Sequence, residues 1–221
     1  MTVAASAKFG RSPEGQTSMR AAMRVAEEAA FAENEALTEY LSGILASAKS
    51  PDGSDDRAVG WSALVARLSS DQLRMHFLLY ATLRQHLLGR HEDTTDSICA
   101  ESCFVSYVAL YKAMEWPRGE GPRFLDALYG LNGEDLVGAQ WAYGPAESLE
   151  SRFKLTFPDG GVVFQASRAG LGLWLWGTGY GARRVTDALD PELEMRPAVL
   201  HVSLDTQQTK LLSGLHPAAS S

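Results

Sequence analysis

Cys99 and Cys103 stand four residues apart in "ICAESCFVSYV". On a helix this spacing turns both thiols to one face, and with His86 or His91 they could ligate a metal. Structural zinc sites present paired short spacings, C-x2-C with a second such pair, whereas this chain has two cysteines in all. No metal and no cofactor are therefore expected, and the cysteines read as small core residues. A cysteine nucleophile would also need an oriented base beside it, which the sequence does not position. His76, between Met75 and Phe77 on an apolar helix, reads as a hydrogen-bonded core or boundary histidine. Glu28, Glu35 and Glu39 fall near one helical side, but no E-x-x-H spacing accompanies them, so a solvated face is expected. No catalytic residue is assigned, and a non-enzymatic protein is expected.

The cations are distributed more informatively. From Ser151 to Arg184 the chain carries Arg152, Lys154, Arg168, Arg183 and Arg184 against the single carboxylate of Asp159. These five are the candidate anion- or nucleic-acid-binding residues. "GTGYGARR", residues 177 to 184, could also cradle an anion through backbone N–H groups. It lacks the lysine and the following Ser or Thr of a P-loop, and reads more plainly as a helix C-terminus.

The elements that must position these residues follow from periodicity and caps. Residues 1–16 are small, polar and aperiodic, and a flexible tail is expected. Thr17 or Ser18 caps a long helix whose stripe of Leu37, Leu41, Ile44, Leu45 and Ala48 runs at three-to-four spacing. Two more helices are expected in "AVGWSALVARL" and "SSDQLRMHFLLYATLRQHLLG", then one from about Thr95 to Trp116. Together, residues 17–116 form a helical bundle. After it, Phe153, Leu155 and Phe157 alternate with polar residues, "PDGG" supplies a turn, and residues 162–165 return. This reads as a β-hairpin leading into a helix from Ser167 through Trp176. Another strand is expected at 197–205 and a flexible tail at 206–221. The fold class is thus mainly α with a small β component: a helical bundle followed by a winged-helix-like unit over 117–205, anchored by Trp174 and Trp176.

Two blocks carry a family resemblance. The first is "EALTEYLSGILASAKSPDG" followed by "ALVARLSSDQLRMHFLLY"; the second is "FLDALYGLNGEDLVG" followed by "VVFQASRAGLGLWLWG". Their order, across residues 25 to 177, is similar to the Abi-alpha family of bacterial proteins linked to abortive phage infection. Ile44, Leu45, Ala46 and Ala48 match its small-residue helix end, and Leu64 through Asp71 its next helix start. Leu128, Leu131, Leu136 and Val137 match a late helix, and Ser167 and Gly170 its late turn. Leu41 stands where the family has tryptophan, Ser167 where it has threonine, and the usual proline is absent. The resemblance implies a phage-defence context and no catalytic residue.

The net charge of -7 argues against a surface that coats nucleic acid. The start, "MTVAASAKFG", lacks a charged region followed by an apolar one, two cysteines suit a reducing compartment, and no apolar run reaches membrane-spanning length. A cytoplasmic location is expected, with no membrane partner. The expected function is phage defence, or its control, by binding a protein partner, a second copy of the chain included. The alternative is a winged-helix transcriptional regulator touching DNA through a basic wing. Asp126, Glu134 and Asp135 weigh against that, because carboxylates on the recognition helix would face phosphate.

Overall fold

The computed structural model describes Lys8, Arg11 and residues 14–90, 94–117, 119–201 and 208–213. Side-chain oxygens set several helix starts. Ser18 accepts from the Ala21 N–H at 3.1 Å and opens α1 (Met19–Ala30); Asn34 accepts from Leu37 at 2.8 Å and opens α2 (Glu35–Ser47). The single long helix expected from Ser18 to Ala48 is therefore two, because Asn34 offers a cap inside the periodic run. Helices α3 (Arg57–Arg67) and α4 (Ser70–Leu87) follow.

The helix expected over 95–116 is also divided. Its residues form α5 (Thr95–Ala100), a strand at Ser102–Ser106 and α6 (Tyr107–Ala113). The four-residue spacing of Cys99 and Cys103 misled because it fits a period of 2 as well as 3.6. "SCFVS" is buried along its whole length and pairs on both edges, which a central strand favours. Ser106 then caps α6 by accepting from Ala109. Beyond it lie α7 (Gly121–Gly133), α8 (Ala146–Phe153) and α9 (Arg168–Thr178).

The strands are β1 (Gln16–Thr17), β2 (Lys49–Ser50), β3 (Ser102–Ser106), β4 (Ala142–Gly144), β5 (Gly161–Gln165) and β6 (Thr209–Leu212). The architecture is mainly helical with a small sheet component. β1 and β2 pair with each other; the larger sheet is antiparallel in the order β4-β5-β3-β6. The hairpin expected in 153–165 is absent: Phe153 ends α8, Lys154 takes the left-handed conformation at φ 57°, and β5 pairs with β3 and β4. Phe153, Leu155 and Phe157 all pack on the core of Phe104, Leu149 and Val163. Their alternation signalled burial, not strand pairing, so the wing of a winged-helix unit is not formed there. Residues 197–201 of the expected 197–205 strand are irregular, and the rest lie outside the described residues. The sheet instead takes β6 from the segment expected as a flexible tail, with Phe104 facing Lys210.

The chain divides into two units, Met1–Arg74 with Gly172–His201, and Met75–Leu171 with Val202–Ser221. Residues 17–116 and 117–205 each contribute to both, and the division falls within α4 and α9. In the first unit Tyr40, Leu41, Ile44, Leu73, Trp174 and Trp176 are buried. Backbones meet closely here, because a Cβ on Gly43 would overlap the Gly177 carbonyl. In the second unit the core is Phe104, Ala142, Leu149, Phe157, Val163 and Leu212. Among the described residues no helix is long and apolar enough to cross a membrane.

Two residues expected in solvent are the most deeply buried ions of the first unit. Lys8, placed by sequence in the flexible 1–16 tail, is ion-paired to Glu39, placed by sequence on a solvated face. Its Nζ also donates to the carbonyls of Glu39 at 2.7 Å and Gly177 at 2.8 Å. The Glu39 carboxylate accepts from the backbone N–H groups of Ala198, Val199 and Leu200. Burial pushes the Lys8 amine down to about 8, with Glu39 pulling the other way. Burial raises Glu39, but the Lys8 charge, its hydrogen bond and the Val199 and Ala198 N–H groups outweigh it and hold the carboxyl below its usual value. Removing one member of a buried pair costs about 3–5 kcal/mol. Glu39→Ala, which strands an ammonium and three N–H groups, should lose that much in urea denaturation. Lys8→Met should lose less, because the three N–H groups still hold the carboxylate.

Candidate functional site

The second unit carries a surface built from aromatic rings. Ser106 starts α6, which puts Tyr107 and Tyr111 one turn apart on one face, their rings perpendicular at 6.1 Å. Phe124, from α7, lies 5.3 Å from Tyr107 and 6.3 Å from Tyr111. At the end of α6, Glu115 adopts φ 56° and the Trp116 N–H donates to the Tyr111 carbonyl at 2.9 Å. This closure, more usual for glycine, brings the Trp116 ring to 5.8 Å from Tyr111, with Arg123 over the indole at 5.3 Å. A second cluster joins through Tyr143, 5.9 Å from Phe124 and stacked on Trp141 at 6.0 Å. Tyr129 completes it, 5.2 Å from Trp141 and with its hydroxyl 3.3 Å from that of Tyr143.

Beside α6 lies a cleft of about 650 Å³ lined by Tyr107, Val108, Tyr111, Lys112, Trp116 and Asp159. Trp116 is buried, and its indole N–H has no acceptor among the described residues. Burial, reinforced by Tyr111, Tyr143 and Asp159, pushes the Tyr107 hydroxyl up to about 12. Burial and Glu120 raise Tyr111 as well. Both phenols therefore stay protonated at neutral pH and can donate hydrogen bonds. Val108, Tyr129 and Tyr143 are exposed. The cleft combines apolar area, two phenol donors, one cation and one carboxylate, a set suited to holding a ligand side chain.

The five cations singled out from sequence are distributed over both units. Arg152 and Lys154 lie exposed at the end of α8, with the Arg152 guanidinium 5.6 Å from the Phe153 ring. Arg168 opens α9 and is paired with Asp96 at 2.6 Å. Arg183 and Arg184 belong to the first unit and are exposed, Arg184 lying 3.5 Å from Asp187. In the "GTGYGARR" turn the Tyr180 N–H donates to Leu175 and the Gly181 N–H to Ser47 Oγ, so the segment closes α9 through its own backbone.

The thiols do not share a helix, as the four-residue spacing implied: Cys99 is on α5 and Cys103 is buried on β3. His86 Nε2 lies 2.8 Å from Thr209 Oγ1, and His91 lies outside the described residues. Among the described residues no three side chains gather as metal ligands. His76 is buried with Nε2 3.1 Å from the Gly170 carbonyl, and its ring is 4.5 Å from Tyr80. Tyr80 donates to the Leu136 carbonyl at 2.8 Å and accepts from the Ser167 N–H at 3.0 Å. A Cβ on Gly170 would overlap the Tyr80 hydroxyl, which accounts for that glycine inside a helix. Sequence reasoning missed the cleft because Asp159 joins it from a distant loop, while Phe124 and Tyr143, which back its rings, come from α7 and β4. The one local signal was Tyr107 and Tyr111 at a spacing of four, inside the segment expected as one helix from about Thr95 to Trp116.

No family model matches the chain, and no curated protein or solved structure matches it.

Burial pushes the His76 imidazole down to about 3 against the Gly170 hydrogen bond. Between this value and the ordinary one near 6.5 the unfolded chain binds the extra proton, so stability rises with pH through that window. The contribution is complete above about pH 6.5 and is lost as pH falls toward 3. Lowering the pH from 7 to 5 should cost about 2 kcal/mol of unfolding free energy from this group. Urea titrations at the two pH values should show that loss, and His76→Gln should reduce the difference between them.

Proposed function

We propose that the chain is a non-enzymatic binding protein of the abortive-infection kind, and that the aromatic cleft of the second unit receives a segment of a partner protein. The observation that carries the reading is the cleft itself. Tyr107, Tyr111 and Trp116 surround a concave surface next to exposed Val108, with Lys112 and Asp159 providing opposite charges. Tyrosine and tryptophan dominate binding energy at protein interfaces, because they bury large rigid areas while keeping one polar end. The second cluster of Tyr129, Trp141 and Tyr143 extends the same surface through Phe124. The phage-defence context rests on the resemblance in the two sequence blocks, and partner recognition is the activity that the geometry supports best.

A photo-crosslinking residue at Val108, in the full chain expressed with and without phage infection, should capture a partner protein. Tyr111→Ala and Lys112→Glu should each weaken that partner's affinity about tenfold or more and reduce protection in plaque assays, while leaving circular dichroism unchanged. Capture and protection that are both indifferent to these substitutions would refute the reading.

A further inference from the structure

Among the described residues of the first unit, one face of α1 is uncovered. The helix buries Ala21 and Val25 in its own unit and turns Met19, Met23, Ala26 and Ala30 outward, at successive spacings of four, three and four. Met19 is 75% exposed, Met23 58%, and Phe31, at the helix end, 80%. That is the a/d stripe of a helix pair, with Arg20 and Glu27 flanking it on one side and Ala22 and Ala29 on the other. Met19 and Met23 continue into a groove of about 670 Å³ walled by Val59 and Ala63 of α3 and lined also by Arg20, Arg24 and Glu27.

The geometry points to a second copy of this chain as the occupant, with two α1 helices packed antiparallel about a two-fold axis. An axis between Met23 and Ala26 sets Met23 opposite Ala26 of the other copy, and Met19 opposite Ala30, so each large side chain meets a small one on both rows. The same operation brings Arg20 of each copy alongside Glu27 of the other. An isologous interface requires this kind of self-complementarity, and the alternation of large and small residues favours close helix approach. Arg20 is held in its own chain by Asp56 at 3.0 Å, a pair exposed on both sides, and such pairs are weak enough to exchange. A helix of this length spans about 18 Å, short of what a standard interface of roughly 1,600 Å² needs. The dimer is accordingly concentration-dependent. It stands on the first unit alone and is independent of the aromatic cleft.

Sedimentation velocity of the full chain, at concentrations on the order of 1 to 200 µM, tests the pairing. The wild-type chain should pass from monomer to dimer across this range. Arg20→Glu and Glu27→Arg should each weaken dimerisation about tenfold, because like charges then face each other. The double variant should regain association, because its swapped charges again oppose. Met23→Glu should abolish the dimer, and all three positions are at the surface, so unchanged circular dichroism separates loss of pairing from loss of fold. A wild-type chain that stays monomeric, a dimer insensitive to the single swaps, or a double variant no better than the singles would overturn the proposal.

Discussion

The first unit is organised around one buried ion pair. Lys8 and Glu39 have been taken out of water together, and charges in that position are tolerated only when every donor and acceptor is satisfied. Here the ammonium reaches one carboxylate and two carbonyls, and the carboxylate reaches three consecutive backbone N–H groups. The pair therefore ties together Lys8, the middle of α2, the end of α9 at Gly177, and residues 198–200. The close approach of Gly43 to Gly177 works in the same place and direction. A side chain on either glycine would push α2 and α9 apart and open the pocket that encloses the ions.

The second unit is organised by β3. It lies between β5 and β6, and is buried from Ser102 to Ser106. Because the strand runs directly into α6, its placement also decides where Tyr107 and Tyr111 stand. The hydrogen bonds of Tyr80 to Leu136 and Ser167 tie α4 to the loops around the Leu136 and Ser167 positions. The aromatic surface is thus presented by elements that follow a buried central strand, an arrangement that would keep the cleft formed before the proposed partner arrives.

The aromatic cleft of the second unit and the α1 stripe of the first differ in chemistry. The cleft has protonated phenols, a lysine and an aspartate, and suits a partner that brings both an apolar side chain and polar groups. The α1 stripe has methionines facing alanines and a self-complementary pair of charges, and suits the same helix turned end for end. Methionine, unbranched and polarisable, adapts its shape at such contacts.

Local chemistry in the sequence determined the helix start at Ser18, the closing helix after Ser167, the burial of Trp174 and Trp176, and the predominance of helix over strand. These depend on neighbours a few residues apart, for which caps and periodicity are sufficient. Only the tertiary structure decided that residues 102–106 would be strand, because their partners are Gly161–Gln165 and Thr209–Leu212, far along the chain. It likewise decided that the alternation of Phe153, Leu155 and Phe157 would fill a core without pairing. The burial of Lys8 against Glu39, and the placement of Asp159, Phe124 and Tyr143 around Tyr107, Tyr111 and Trp116, also depend on residues brought together from distant segments. No window of sequence contains both sides of such a contact, and the free energy that selects it exists only once the elements have packed.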